Sequence, residues 1–313
     1  LLGEPNDVWA AGKIPALQNL EEFSLVPRGS VAVNAINPRL LLPFLFLSKM
    51  RTFYTSSLAT VPHLNLHRLY DKPEYFGKSP VTEMIFDFTA IDGFTLDSLL
   101  ALPRALEKLT VNFVSVHPSD WDVLISPDED PDEDSDEEKM NERGFSVFAV
   151  GDALQQQRHS LKKLTLRWAN VHRGCSIFLL SEFTVLEELT APMVMVLYRR
   201  HGVRRSLRET LPASIVRLEL LAYRTVPVPD WQPEVLGLLN RRDVHVPKLR
   251  WLRIEQWLEP GCRVSKYDLE AEAVVNLGRL VGVEVRVDFK EHPCPERISS
   301  DVDEDAEDDT EED

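Results

Sequence analysis

Cysteine is scarce in this 313-residue chain. Cys175, Cys262 and Cys294 are odd in number and far apart in sequence. A disulfide framework is therefore not expected, which fits a reducing, cytoplasmic or nuclear setting. Long apolar runs are missing too. The longest, "LLLPFLFL" (Leu40–Leu47), is eight residues with a proline inside. A membrane-spanning helix needs ~20. No secretory signal is visible, and the first residue is Leu1 rather than Met, so the reading expects sequence upstream. Glycine-rich phosphate loops, a nucleophile elbow and zinc-ligand spacing are all absent. His63 and His67 are four apart, but Pro62 opposes a helix there and no third ligand is near. Cys175 follows "HRG", yet a buried or incidental thiol explains it without an activated nucleophile. No catalytic residue, metal or cofactor is therefore expected, and no enzyme.

Net charge is also small in the body of the chain, once its location is considered. The formal net charge is -16, but nine acids lie in Asp128–Glu138 and ten in Asp301–Asp313. The remaining 32 acids face 35 Lys and Arg, a balance of +3. Blocks of like charge repel themselves and stay solvated. The expectation is one unit over 1–290 with a disordered acidic insertion at about 126–142 and a disordered acidic tail over 291–313. Ser135 and Thr310 precede acids as acidophilic kinases prefer, and a phosphate there adds charge to a charged tract. A body this close to neutral, with acidic appendages, disfavours nucleic acid as a partner. No membrane contact is expected either.

What the chain does have is leucine at a recurring spacing. "RHSLKKLTLRW" (residues 158–168) carries Leu161-x-x-Leu164-x-Leu166, and seven further stretches carry the same pattern. The copies start at Leu20, Met50, Val81, Leu106, Leu161, Leu186, Ile215 and Leu249. The starts are 30, 31, 25, 55, 25, 29 and 34 residues apart. The interval of 55 spans the first acidic run and reads as an insertion or as one degenerate copy. Two apolar residues two apart share one face of a strand, and the first, three earlier, falls where the chain turns into it. One such unit cannot bury that face alone. Stacked units can, with each strand parallel to the next and each return segment behind. The fold expected is α/β, an irregular leucine-rich-repeat solenoid in a horseshoe-like arc with its strands on the concave face. A plain α/β domain with a parallel sheet is the alternative. The consensus asparagine is missing from most copies (Asn170 is one residue late), so no continuous asparagine ladder is expected.

The return segments read as helical or irregular. "FSVFAVGDALQQQRHS" (Phe145–Ser160) suggests a helix over its second half. Leu269, Ala273, Leu277 and Leu280 fall on one helical face. "GVEVRVDFK" then alternates strictly, with Val283, Val285, Val287 and Phe289 inward and Glu284, Arg286, Asp288 and Lys290 outward. It suits a terminal strand whose charges discourage edge-to-edge pairing.

Three stretches, "LPASIVRLELL" (Leu211–Leu221), "LLLPFLFLSKMRTFY" (Leu40–Tyr54) and "AVVNLGRLVGVEVRVDF" (Ala273–Phe289), are similar to the repeat region of filamentous-fungal F-box proteins. The resemblance covers roughly Ile14–Phe289. It implies substrate recognition within a Skp1–cullin–F-box ubiquitin ligase. The F-box itself is not found in these residues, so Skp1 is implied as a partner only where an F-box lies upstream. A stand-alone leucine-rich-repeat binding module is the alternative.

Strand geometry also names a surface. Residues flanking the inward pair point outward and line up in columns across the sheet. The candidate partner-binding residues in those columns are Lys108, Thr110, Asn112, Lys163, Thr165, Arg167, Arg217, Glu219, Trp251, Arg253 and Glu255. Tryptophan and arginine among them are the residue types that dominate binding hot spots. An ordinary hydrophilic sheet face is the competing reading. "YRRHGVRRSLR" adds Arg199, Arg200, Arg204, Arg205 and Arg208. That loop reads as a solvated return, a phosphate or carboxylate contact, or a dock for an acidic run. The partner expected is a protein; its identity and the oligomeric state are not in the sequence.

Overall fold

The computed structural model describes residues 17–26, 41–56, 73–89, 91, 93–113, 147–168, 180–197, 206–223, 231–258 and 265–291. His63, His67, all three cysteines, both acidic runs, Asn170, Arg199, Arg200, Arg204 and Arg205 lie outside these residues.

Each of the eight leucine-spaced stretches forms a strand, and "GVEVRVDFK" forms the ninth. The strands are β1 (Glu22–Leu25), β2 (Thr52–Ser56), β3 (Glu83–Thr89), β4 (Lys108–Phe113), β5 (Lys163–Trp168), β6 (Glu188–Pro192), β7 (Arg217–Ala222), β8 (Trp251–Leu258) and β9 (Glu284–Glu291). They make one open sheet in strict sequence order, and every pair is parallel. The register repeats: the middle leucine position pairs with its equivalent across each interface, as Leu109 with Leu164 and Leu164 with Leu189. β4 pairs directly with β5, so no strand of the sheet comes between them despite the 55-residue interval.

A second repeat lies in the backbone. The carbonyl just before each strand accepts two N–H groups from the next unit. Glu107 O takes those of Lys162 and Lys163 at 2.8 and 3.0 Å, and Lys162 O takes those of Glu187 and Glu188 at 2.8 and 3.0 Å. The pattern runs from Glu21 O through Glu187 O to Val216 O. A parallel sheet must be covered on its apolar side, and the inward positions show it. Phe53, Met84, Leu109, Leu164, Leu218 and Leu252 are all fully buried. The first leucine position is buried as well, from Met50 to Leu249.

The covering layer is helical. Its helices are α1 (Leu42–Leu45), α2 (Gly93–Ala101), α3 (Val147–Gln155), α4 (Met193–Leu197), α5 (Leu207–Thr210), α6 (Trp231–Asn240), α7 (Arg242–His245) and α8 (Ser265–Leu280). Two 3-10 turns, Pro73–Tyr75 and Leu180–Glu182, complete the described returns. α3 starts and ends earlier than the second half of Phe145–Ser160. A chain of tight turns over residues 156–160 follows it and leads into β5. The turn holds Gln157, which is buried and saturated. Its Oε1 accepts from Leu106 N (3.0 Å) and Ser160 Oγ (2.8 Å), and its Nε2 donates to Leu100 O (2.7 Å) and Pro103 O (3.2 Å).

The face of α8 differs from the sequence expectation. Ala271, Val274 and Gly278 turn inward and Leu277 packs half-buried against the core, while Ala273 is exposed and Leu269 and Leu280 are 75% and 83% exposed. Close approach to β9 decides this. A Cβ at Gly278 would lie 2.2 Å from Val285 Cγ2 and 3.0 Å from Val283 O, so the helix must present its smallest residues there. Gly282 follows with φ +72°, the left-handed turn that glycine tolerates, and returns the chain into β9. Among the described residues no helix is long and apolar enough to cross a membrane.

The candidate binding face

The inward leucines fix the opposite side of the sheet. Side chains alternate along a strand, so the residues between buried positions form a polar face, and the parallel register stacks them into columns. The first column runs Glu22, Thr52, Glu83, Lys108, Lys163, Glu188, Arg217, Trp251, Glu284. The middle column runs Ser24, Tyr54, Ile85, Thr110, Thr165, Thr190, Glu219, Arg253, Arg286. In the third column a register shift falls between Phe86 and Thr89, and Val26 lies beyond the end of β1.

The eleven candidates separate into three groups. On β4, Lys108 pairs with Glu83 (3.6 Å), Thr110 is half-buried, and Asn112 donates to Asp87 Oδ1 (2.8 Å). Asp87 also accepts from the Tyr54 hydroxyl at 3.3 Å. This group lies directly beside the second, with Lys108 next to Lys163 and Asn112 next to Arg167.

The second group surrounds a depression of about 200 Å³ across β5 to β8. Lys163, Thr165, Arg167, Arg217, Glu219 and Trp251 line it, together with Glu188, Leu189 and Thr190. Lys163 is paired with Glu188 at 2.9 Å. Glu219 accepts from Thr190 Oγ1 at 3.0 Å and from Arg253 at 2.7 Å. The Arg217 guanidinium lies over the Trp251 ring, 4.6 Å from its centroid. Such stacking holds the fork in place while leaving its edge N–H groups free to donate. Arg167 is exposed and has no ion-pair partner among the described residues.

The third group is an internal charge network and not a free surface. Arg253 reaches Glu219 (2.7 Å), Glu255 (3.1 Å) and Asp288 (2.7 Å). Glu255 is 7% exposed and also takes Lys290 (2.9 Å) and Trp257 Nε1 (3.1 Å). Both were expected to face a partner; their polar groups are instead consumed by neighbours. Burial would push the Asp288 carboxyl up, but hydrogen bonds from Arg286 and Arg253 outweigh it and hold the group below the usual range. Beside the network, Tyr223 is pushed up to about 12, chiefly by burial, with Glu255 and Glu219 adding and Arg167 opposing. Tyr223 and Trp257 lie ring to ring at 6.3 Å, and Lys290 sits 5.2 Å over Trp257.

Glu188 and Thr190 belong to the depression but were not singled out, although the columns contain them. Asp288 and Arg286 were missed as network members. Extending each column by the strictly alternating ninth strand would have found them. Of the basic loop only Arg208 is described; it is exposed on α5 and donates to Ser206 Oγ at 3.3 Å. Among the described residues no cluster of three or more His, Cys, Asp or Glu is arranged to hold a metal ion.

Neither a protein-family model nor a curated protein matches the chain.

Proposed function

We propose that this chain is a protein-interaction scaffold, an irregular leucine-rich-repeat solenoid whose polar sheet face receives a protein partner and performs no chemistry of its own. The observation that carries the reading is the depression on β5 to β8. There, one stacked tryptophan–arginine pair, a second unpaired arginine and two threonine hydroxyls converge on a single face. A rigid aromatic with a pre-positioned guanidinium is the combination that concentrates binding energy at protein interfaces. The eightfold leucine spacing, the constant register and the absence of a consensus asparagine support the irregular-repeat assignment. The role of substrate receptor in a Skp1–cullin–F-box ligase is the narrower form of this proposal, and it rests on the sequence resemblance alone. The same binding face serves a stand-alone module.

Site-specific photo-cross-linking tests the reading. A benzophenone amino acid replaces Thr165 inside the depression, or Glu272 on the exposed side of α8, in cells expressing the full-length gene product. Discrete adducts are expected from position 165 and not from position 272. Trp251→Ala with Arg217→Ala should remove them while shifting Tm by no more than a few degrees. Adducts confined to position 272 would defeat the proposal. Co-purification of Skp1 with the same full-length product separates the ligase form from the stand-alone form.

A further inference from the structure

The depression is cationic in a particular way. Of its three basic side chains, Lys163 is neutralised by Glu188, and the acid Glu219 is engaged by Arg253. Arg167 and Arg217 are left without a carboxylate partner among the described residues. Elsewhere on the face, basic and acidic groups pair off, as Lys108 with Glu83 and Lys290 with Glu255. Arg167, near the end of β5, and Arg217, at the start of β7 and already stacked on Trp251, are two guanidinium groups that a carboxylate-rich segment laid across the depression can meet in turn.

The chain itself carries such a ligand. Asp301–Asp313 holds ten acids in thirteen residues. All nine strands are parallel, so β9 delivers the chain at Glu291 to the same edge of the sheet at which Arg167 stands, near the end of β5. Four strand spacings separate β9 from β5, roughly 19 Å at ~4.8 Å each. The ten residues from Glu291 to Asp301 can span roughly 33 Å when extended. The tether therefore reaches with slack, and a tethered ligand needs only weak intrinsic affinity, because its effective concentration is on the order of millimolar.

We propose that the acidic segment Asp301–Asp313 occupies the depression on β5 to β8, bridging Arg167 and Arg217, and that an acidic partner must displace it. This inference rests on the reading of the polar face as the partner surface and names the chemistry of what binds there. Its consequence is competition: the face is screened from weak anionic partners and yields to those with more contacts.

The experiment uses the full-length chain in two forms, native and with the ten acids of Asp301–Asp313 changed to Asn or Gln. A fluorescein-labelled peptide of residues 301–313 is titrated against each and followed by anisotropy, at about 20 mM and about 300 mM salt. The neutralised chain is expected to bind the peptide about tenfold or more tightly than the native chain at low salt, and to lose it at high salt. Arg167→Glu with Arg217→Glu in the neutralised chain should abolish binding, and Arg279→Glu, on the exposed side of α8, should change it less than twofold. Arg167→Gln with Arg217→Gln serves if charge reversal alters the thermal melt. Equal binding by native and neutralised chains overturns the occupancy while leaving the face as an acidic-peptide site. Binding that survives both arginine double variants, or no binding to either chain at low salt, overturns the proposal outright. The cross-linking at position 165 does not depend on the tail, so it decides the partner-face reading separately.

Discussion

Arg253 stands among Glu219, Glu255 and Asp288, and its side chain is 26% exposed while theirs are 14%, 9% and 19% exposed. Charges this far from water are stable only because each is paired and hydrogen-bonded. Removing Arg253 takes away the one cation shared by all three carboxylates and leaves Asp288 and Glu255 with only the more exposed Arg286 and Lys290. Arg253→Ala is therefore expected to lower stability by roughly 2–3 kcal/mol at neutral pH, discounted from the fully buried case because water still reaches the edge of the network. The pH dependence has a definite sign. Asp288 is held below its ordinary value in the folded chain, so its contribution is present above the unfolded carboxyl pKa of about 4 and is lost as pH falls through the folded one. The deficit of the variant should shrink once the carboxyls are protonated. Urea unfolding of native and Arg253→Ala protein at about pH 7 and about pH 3 measures this, and an equal deficit at both would show that the lost contact was packing rather than charge.

At the scale of elements, the sharpest constraint is the contact of α8 with β9. Gly278→Ala brings a methyl against Val285, whose branched side chain has little rotameric freedom. Overpacking of that kind costs about 1–3 kcal/mol, more than the ~1 kcal/mol of helix propensity that alanine returns. Gly237 on α6 has nothing within 4 Å of where its Cβ would be. The matched pair predicts opposite signs: Gly278→Ala lowers the urea midpoint, and Gly237→Ala raises stability by about 0.5–1 kcal/mol. The same contact shows where sequence reading stops. The strands were legible because a period of two with a fixed lead residue admits one inward face, and all eight stretches became strands in register through the first two columns, with a shift after Phe86 in the third. The face of α8 was not legible. Its leucines marked one side by hydropathy, but shape complementarity selected the side with Ala271 and Gly278, and the cost of exposing Leu269 and Leu280 was accepted. Gln157 was silent for a related reason. Nothing in its neighbourhood announces that one amide will close the carbonyls of Leu100 and Pro103 and the N–H of Leu106. Ser214 does the same with the carbonyls of Phe183 and Leu186. The depression was half legible. The columns supplied Lys163, Thr165, Arg167, Arg217, Glu219 and Trp251, but only pairing distances show that Arg253 and Glu255 are spent internally.

The whole molecule is an array in which each unit touches chiefly its neighbours, and stability in such arrays is close to a sum of unit and interface contributions. Its ends are finished differently. At β1, the first strand among the described residues, Phe23 stacks on Phe44 and Phe53 (centroids 4.2 and 5.5 Å), which adds aromatic area to that end of the core. At β9, outward charges occupy the open edge and α8 covers the apolar side. Between the ends, the lattice takes no account of how long a connection is. The Glu107 carbonyl and six paired positions join β4 to β5 as if the acidic insertion were a short return. Loop-closure entropy grows only with the logarithm of length, about 0.6 kcal/mol for each doubling. Excising residues 126–142 roughly halves the connection between β4 and α3, so the urea midpoint is expected to hold or rise by that small amount. Leu164→Ala, in the strand on the far side of the connection, removes a fully buried side chain from the inward column and should cost about 3 kcal/mol. Equilibrium unfolding of the two variants beside the native chain distinguishes a lattice indifferent to its insertion from one that depends on it: an excision as costly as Leu164→Ala would mean that the acidic segment is part of the packed structure.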